Sequence, residues 1–433
     1  MRSRLLWRRT ATALGSYGST ALGILGTIVA ANVLGVADFG RLALVLATVG
    51  LFQLLLDLTS EEALVKYGFR YSAREDWGRF RRLLELAVVF KSGSALVAGA
   101  IIAGLAPLAD TLFGAHGLLV PLLLASVLPL LYSIEGIAAA ALVLRGRYDV
   151  RAGFLFLSMA LRLAAIGIGT PFGVTATVVA LVVGQIVATG AVGLIGLAAV
   201  RRFPRAEAVP LGDDRREVLG FVVQSSLGTG IVSLRAWLAP ILLGVVSAVR
   251  QVGLFRAAQA PQQGFAALSS PVRLILLTEQ TRAWEHGRTD AVYAGLRRYV
   301  LGAGALMAAA IVPLWLLMPW LIELVLPAFT DATDAARLIL VAAAVQLVLG
   351  WTKSFPVSIG RPNLRVLAHG VETAVLVPLL VVFGAAWDAT GAAGAVLVST
   401  LAFAATWGLI LLWLRRQPLP RATPMAPREV TTG

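Results

Sequence analysis

The chain of 433 residues contains no cysteine and three histidines. Disulfides, thiol nucleophiles and zinc-thiolate sites are therefore excluded, and the redox compartment leaves no trace in the sequence. His116, His286 and His369 are too scattered to make a metal cluster. Charge is scarce as well, at 14% Asp, Glu, Lys and Arg, against about 25% in a typical soluble domain. Acidic residues are the rarer sign, 23 against 37 bases, leaving a net charge of +14. Alternating apolar segments of about ten residues, the mark of a membrane β-barrel, are missing.

What fills the chain instead is apolar: 58% hydrophobic residues and a mean hydropathy of +0.83. Near-uncharged runs of about 18 to 28 residues recur, long enough to cross a hydrocarbon core of roughly 30 Å as helices. Twelve such runs stand out, at 12–35, 42–60, 83–106, 118–144, 152–170, 174–200, 218–246, 252–277, 299–321, 336–357, 366–386 and 391–414. The expectation is an all-α polytopic membrane protein. The first run is too long for the apolar core of a signal peptide, and no small-residue cleavage pattern follows it, so it reads as the first span.

The placement of the bases argues against a nucleic-acid patch. Arg2, Arg4, Arg8 and Arg9 precede the first run, and Lys66, Arg70, Arg74, Arg79, Arg81 and Arg82 sit between the second and third. Arg145, Arg147 and Arg151, then Arg201 to Arg216, Arg282 to Arg298, Arg361 with Arg365, and Arg415 onward continue the pattern at every second connection. The intervening turns hold little beyond Arg41, Arg250 and Arg337. The positive-inside rule then puts both termini in the cytoplasm. No connection on the other side is long enough for a catalytic domain.

The chain also repeats itself. Gly146-Arg147-x-Asp149-x-Arg151 returns as Gly360-Arg361-x-Asn363-x-Arg365, an offset of 214 (360 − 146). Gly40 returns near Gly253, and Arg81-Arg82 as Arg297-Arg298, at nearly the same offset. Six runs per repeat is an even number, so the two halves enter the bilayer in the same direction, related by a pseudo-two-fold axis along its normal. The expected units are residues 1–200, a polar linker at 201–217, residues 218–414, and a Pro-containing tail at 415–433 that reads as a disordered end. The long connections at 61–82 and 278–298 are equivalent, and the second reads as a surface helix with Trp284 and Tyr293 at headgroup level.

Polar groups within the spans carry the functional information, because an ionisable side chain in hydrocarbon costs roughly 2.5–3.5 kcal/mol. Span eight places Arg256, Gln259, Gln263 and Ser270 on one helical face, and span seven places Gln224, Gly228 and Arg235. Gln346, Gly350 and Lys353 share a face of span ten, and Ser158 lies one turn from Arg162 in span five. Lys91 lies about 12 Å inside span three by the helical rise. The acids are fewer: Asp57 and Glu61 follow Gln53, Glu135 lies in span four, and Glu372 accompanies His369 in span eleven. Asp57, Glu61, His369 and Lys91 lie near a membrane face, where pairing or snorkelling accounts for them. Arg162, Arg235 and Arg256 lie deeper. A cavity lined by arginines suits an anion, with phosphate or pyrophosphate the best match to a paired donor. Glutamine and serine beside them suit sugar hydroxyls, so the combination describes a glycolipid headgroup. Glu135, Asp57 and Glu372 are candidates for counter-charge or ion coupling.

Short motifs carry a resemblance. Leu34-Gly35-x-x-Asp38-Phe39-Gly40, a second span ending in Asp57-Leu58, and Val252-Gly253-Leu254-Phe255-Arg256-Ala257-Ala258-Gln259 resemble the polysaccharide (O-antigen-type) flippases of the multidrug/oligosaccharidyl-lipid/polysaccharide exporter superfamily. The turn Gly360-Arg361-Pro362-Asn363 and the helix start Gly391-Ala392-Ala393-Gly394-Ala395 are similar to the same family. The resemblance implies two six-helix bundles in a V around a central cavity. It also implies a function: turning undecaprenyl-pyrophosphate-linked oligosaccharide from the inner to the outer leaflet of the bacterial plasma membrane. No cofactor is implied; a coupling ion such as H+ or Na+, and polymerase or export partners, are left open. From the cationic faces of the spans, the expected mechanism is alternating access in which Arg235 and Arg256 hold the pyrophosphate, with Arg162, Lys91 and Lys353 assisting.

Three other readings compete. A multidrug-and-toxin extruder of the same superfamily moves cations, which an Arg-rich cavity disfavours. A major-facilitator transporter would carry a basic Gly-rich loop between spans two and three, absent from Leu58 to Arg82. A membrane polymerase or glycosyltransferase would need a long external loop or an acidic metal cluster. Single cysteines introduced into this cysteine-free chain test the topology. Positions 115 and 331 should be blocked by an impermeant external thiol reagent, whereas 76, 208 and 290 should not. External labelling at 208 would sink the twelve-span arrangement.

Overall fold

The computed structural model describes residues 2–56, 60–265, 279–280, 283–284, 288–361 and 363–416. Asp57, Ser270 and the 417–433 tail lie outside the described residues, as does the side chain of Arg235. The described chain is nearly all helix, and no strand occurs in it. In order, the helices are α1 (Arg2–Leu56), α2 (Ser60–Ala73), α3 (Trp77–Leu112), α4 (Leu119–Ala125), α5 (Leu128–Leu144) and α6 (Tyr148–Gly169). They continue with α7 (Val174–Val200), α8 (Asp214–Val246), α9 (Val249–Ala258), α10 (Thr289–Val325), α11 (Thr333–Val348) and α12 (Asn363–Arg416).

Among the described residues, seven helical stretches are long and apolar enough to cross a membrane, and two of them, Tyr17–Ala73 and Asn363–Arg416, each take in two of the twelve expected runs, joined across local breaks. A helix of 55 residues such as α1 would measure about 80 Å by the helical rise, far beyond a bilayer. It is broken at Gly35, with φ 72° and ψ 178°, a conformation only glycine adopts freely. The expected spans one and two meet at that break. In α12 the break falls at Trp387 and Asp388, where Asp388 takes φ 54° and accepts a hydrogen bond from the Ser247 hydroxyl. Spans eleven and twelve meet there. Span four remains one stretch, Leu119–Leu144, with a turn between α4 and α5, and Pro129 sits in the first turn of α5, where its missing N–H suits a helix start. Span ten stops as α-helix at Val348 and continues as a 3-10 turn over Gly350–Lys353.

Three features of the connections differ from expectation. Residues 60–73 form the amphipathic α2, whose Tyr67 and Tyr71 are fully buried. Tyr293 does not lie on a surface helix: it belongs to the first turns of α10 and packs on Phe355 at 6.1 Å. Ala115, proposed for external labelling, is buried, so the exposed neighbouring His116 is the better cysteine position.

The repeat is visible in the backbone. Gly146 and Gly360 both have positive φ, 66° and 70°. Each stands within the same helix-ending turn, in which the Arg147 N–H donates to the Leu142 carbonyl and the Arg361 N–H to the Pro356 carbonyl. Gly173 and Asp388, at corresponding places, are both positive-φ residues opening a helix.

Hydrophobic packing is distributed unevenly along the helices. At the end away from the arginine-rich connections, one core joins both repeats: Ala30, Phe39, Leu44, Phe113 and Leu118 from the first, Leu243, Phe255, Phe329, Ile339 and Leu380 from the second. At the arginine-rich end the packing separates into different clusters. One is built on Leu64, Tyr67, Phe80 and Leu83, the other on Trp351, Phe355, Trp407 and Leu414. The halves therefore meet at one end and part at the other. Helix α8 crosses between them: its start is tied to the first half and its later turns pack on α12. Arg70 grips Glu217 with both terminal nitrogens, at 2.9 and 3.0 Å, and that hydrogen bonding holds the Glu217 carboxyl below its ordinary pKa. Tyr71, pushed up to about 12 by burial and then by its hydrogen bond to Asp214, stays a donor.

The contact that joins the halves is reciprocal. A Cβ on Gly40 would lie 2.1 Å from the Val249 carbonyl oxygen, and one on Gly253 would lie 2.2 Å from the Val36 carbonyl oxygen. The two contacts are equivalent under the repeat: Val249 lies 213 residues after Val36 and Gly253 lies 213 after Gly40 (249 − 36, 253 − 40). Two helices cross here backbone to backbone, which only glycine on both permits. Gly40→Ala and Gly253→Ala should each lower Tm by at least ~2 °C, since overpacking costs about 1–3 kcal/mol. Gly93→Ala, where nothing lies within 4 Å, is the control. Equal shifts for all three would refute the close-approach account.

Candidate functional site: a cationic cavity between the halves

Below the joined end lies a cavity of about 590 Å³. Its walls come from α1 (Tyr17, Thr20, Thr27), α6 (Met159, Arg162), α8 (Trp237, Pro240) and the chain beyond α8 (Arg256, Gln263). Both halves contribute. Exposure falls along its length, from Tyr17 and Thr20, which are open, to Ala30 and Phe39, which are buried at the joined end. The cavity is thus closed where the two glycines cross and reachable from the arginine-rich end.

Its chemistry is one-sided. Arg162 and Arg256 both line it, half-buried, and are near enough to repel each other. Arg256 donates to the Gln259 amide oxygen at 2.8 Å, a neutral partner. Among the described residues the cavity lining holds no carboxylate, and neither arginine has one within ion-pair distance. Two guanidinium groups without counter-charge, in a low-dielectric surround, form a site for an anion with several acceptor oxygens. Arg162 and Trp237 also line a second cavity of about 290 Å³ with Gln53 and Tyr132.

A family model described as polysaccharide biosynthesis protein matches residues 6–269, covering more than half of the chain. The chain belongs to the polysaccharide biosynthesis protein family. No curated protein matches it. Among solved structures the fold is similar to an inward-facing multidrug resistance MATE family transporter of the MOP superfamily, with a TM-score of 0.68 at 14% identity over 95% of this chain and 99% of the other. It is similar to the lipid II flippase MurJ in an inward closed conformation, with a TM-score of 0.73 at 12% identity over 93% of this chain and 87% of MurJ. An outward-facing MATE transporter gives a TM-score of 0.60 at 15% identity, covering 94% of this chain and 96% of that one. The family therefore has, in this member, the helical fold that MATE transporters and MurJ share.

The remaining polar residues of this family member fall into separate groups. Lys91 does not face the main cavity. Its ammonium lies 2.6 Å from the Glu61 carboxylate, inside the first half, where Gln53 and Ser133 line the same small cleft. Glu135 accepts a hydrogen bond from Gln185 at 2.8 Å. Gln346 accepts from Gln262 at 3.0 Å and donates to Thr400 at 3.1 Å, spanning the interior of the second half. Glu372 is buried, with His369 Nδ1 at 2.9 Å and the imidazole stacked on Phe403. Gln224 is exposed on α8, outside the cavity lining.

One expected stripe breaks for a backbone reason. Lys353 leaves the face of Gln346 because the α-helical spacing ends at Val348; it is exposed at the end of a 3-10 turn. Gln259 stays beside Arg256, accepting from its guanidinium, and is buried, whereas Arg256 and Gln263 line the cavity. The residues overlooked in sequence are the α1 wall and Trp237. Thr20, Gly23 and Thr27 recur at i, i+3 and i+7, a helical face legible in advance. Trp237 had no such signal: it lies against Gly50, whose Cβ would meet the indole at 2.5 Å.

The contrast between Lys91 and Arg256 is measurable. Lys91→Ala leaves the Glu61 carboxylate without its partner and should destabilise strongly, by up to about 3 kcal/mol for a largely buried pair. Arg256→Ala loses one neutral hydrogen bond and gains relief from Arg162, so its Tm should shift less. A larger loss for Arg256→Ala would mean that this arginine is structural.

Proposed function

We propose that the protein is a flippase-type transporter that carries polyprenyl-pyrophosphate-linked oligosaccharide across the bacterial plasma membrane by alternating access. The observation that carries the reading is the cavity between the halves with Arg162 and Arg256 on its wall and no carboxylate among its described lining. Family membership supports the polysaccharide context, and the MATE and MurJ likeness supports the transporter fold. The reciprocal glycine crossing supports twelve spans in two bundles about a pseudo-two-fold axis. Under the positive-inside rule the arginine-rich end is cytoplasmic, so the state described here opens inward.

In this mechanism the headgroup enters from the cytoplasmic side, where Tyr17 and Thr20 are open. Arg162 and Arg256 hold the pyrophosphate with bidentate, charge-assisted hydrogen bonds, and Gln263 and Thr27 meet sugar hydroxyls. Arg235, on α8 two residues before Trp237, is assigned to the same headgroup. The prenyl tail remains in lipid at the seam between the halves. Rocking then separates the helices that cross at Gly40 and Gly253 and opens the outer side, the bound state being favoured by its differential affinity. Glu135 and Glu372 are assigned to ion coupling or counter-charge. Export of organic cations, the alternative within the superfamily, would need acids on the cavity wall.

Purified protein should gain thermal stability from polyprenyl pyrophosphates, by RT ln(1 + [L]/Kd), or about 2.7 kcal/mol at a hundredfold excess over Kd. Lipophilic cations should not stabilise it. Arg162→Ala combined with Arg256→Ala should abolish the shift, and Lys replacements should restore it only partly. Stabilisation by cations but not by pyrophosphate lipids would replace this reading with the exporter.

A further inference from the structure

A second apolar recess lies outside the central cavity, on the arginine-rich end of the molecule. It measures about 560 Å³ and runs between the first turns of α3 and the linker with the first turns of α8. Its floor is apolar, including Leu86, Leu211 and Val222, and among the described residues the charged ones that line it are Arg82 and Arg215. Phe90, Leu219 and Val223, which also line it, are 44%, 39% and 53% exposed, so the recess opens sideways along the helices. From Arg82 to Phe90 it follows α3 for about 12 Å by the helical rise. Arg82 lies one residue before the expected start of span three, so the charged mouth is at headgroup depth and the apolar floor at acyl depth.

We propose that this recess binds an anionic phospholipid of the adjoining leaflet, its phosphate against Arg82 and Arg215 and an acyl chain on the Leu86–Val222 floor. Charge complementarity commits the occupant. Arg82 has a carboxylate neighbour, Glu85 at 3.6 Å, but that acid does not line the recess. A zwitterionic lipid would bring a positive group to two arginines, and a soluble anion would leave the apolar floor open. The two walls belong to the first half and to the helix that crosses to the second. A lipid here therefore adds to the Arg70 to Glu217 and Arg79 to Asp214 contacts that fasten α8. The inference does not depend on what the central cavity transports.

The test uses the full chain purified in detergent, with phosphatidylglycerol and phosphatidylcholine added separately. Binding is read by native mass spectrometry of retained lipid and by Tm. Phosphatidylglycerol should bind and raise Tm, and phosphatidylcholine should do neither. An arginine near an anionic lipid surface is worth about fivefold in binding, so Arg82→Ala with Arg215→Ala should weaken phosphatidylglycerol binding roughly thirtyfold. Leu86→Trp, which fills the floor and keeps both charges, should displace the lipid as well. Lipid binding that ignores headgroup charge, or survives both variants unchanged, overturns the proposal. Retention of polyprenyl phosphate in place of phosphatidylglycerol also overturns it, making the recess a substrate site. Loss of the Arg162 and Arg256 effect in the cavity would leave this result untouched.

Discussion

The close crossing of the backbone at Gly40 and Gly253 is the constraint on which the rest of the architecture depends. A Cβ on either residue would overlap a carbonyl oxygen of the opposite repeat at little over 2 Å. Without hydrophobic drive between helices in lipid, such an approach gains its stability from van der Waals contact that only small residues allow. Around it the shared core assembles, with the Phe39 and Phe329 rings meeting edge to face at 5.7 Å. Because the halves are fastened at this end and packed into separate clusters at the other, a cavity between them follows from geometry.

Within that cavity the electrostatics are unbalanced on purpose of position rather than of composition. Cations elsewhere in the protein find carboxylates: Lys91 has Glu61 and Arg70 has Glu217. Arg162 and Arg256 do not, and they face each other across the seam from α6 and the segment after α8. Unpaired guanidinium groups in a low-dielectric site carry a standing cost, which an anionic ligand with several oxygens removes. That is the physical basis of the pyrophosphate-linked cargo proposed for this member of the polysaccharide biosynthesis family.

Helix α8 gives the two halves a second, weaker link. Its first turns are held to α2 and α3 by Arg70, Arg79 and Tyr71 through Glu217 and Asp214, in exposed or half-buried contacts of modest individual strength. Its later turns carry Trp237 and Pro240 into the cavity wall. One helix thus reports on both the arginine-rich surface and the site, which gives the lipid recess beside its first turns a route of influence on the halves.

Much of this was legible in the residues. Apolar runs separated by basic turns determine an all-helical membrane chain, because only helices satisfy the backbone in hydrocarbon, and the 214-residue echo at Gly146 and Gly360 reappears as the same left-handed turn twice. The polar faces read along spans five and eight hold Arg162 and Arg256, and both side chains line the cavity. Tertiary structure alone decided which charges remain unpaired: Lys91 and Glu61 are 30 residues apart in sequence and meet only because α2 folds back on α3. It also decided where helical periodicity stops, at Val348, moving Lys353 off the face that a continuous helix would give it. Spacing along a chain fixes neighbours only while one helix persists; pairing across helices depends on packing, and packing here was set by glycines whose partners lie 213 residues away.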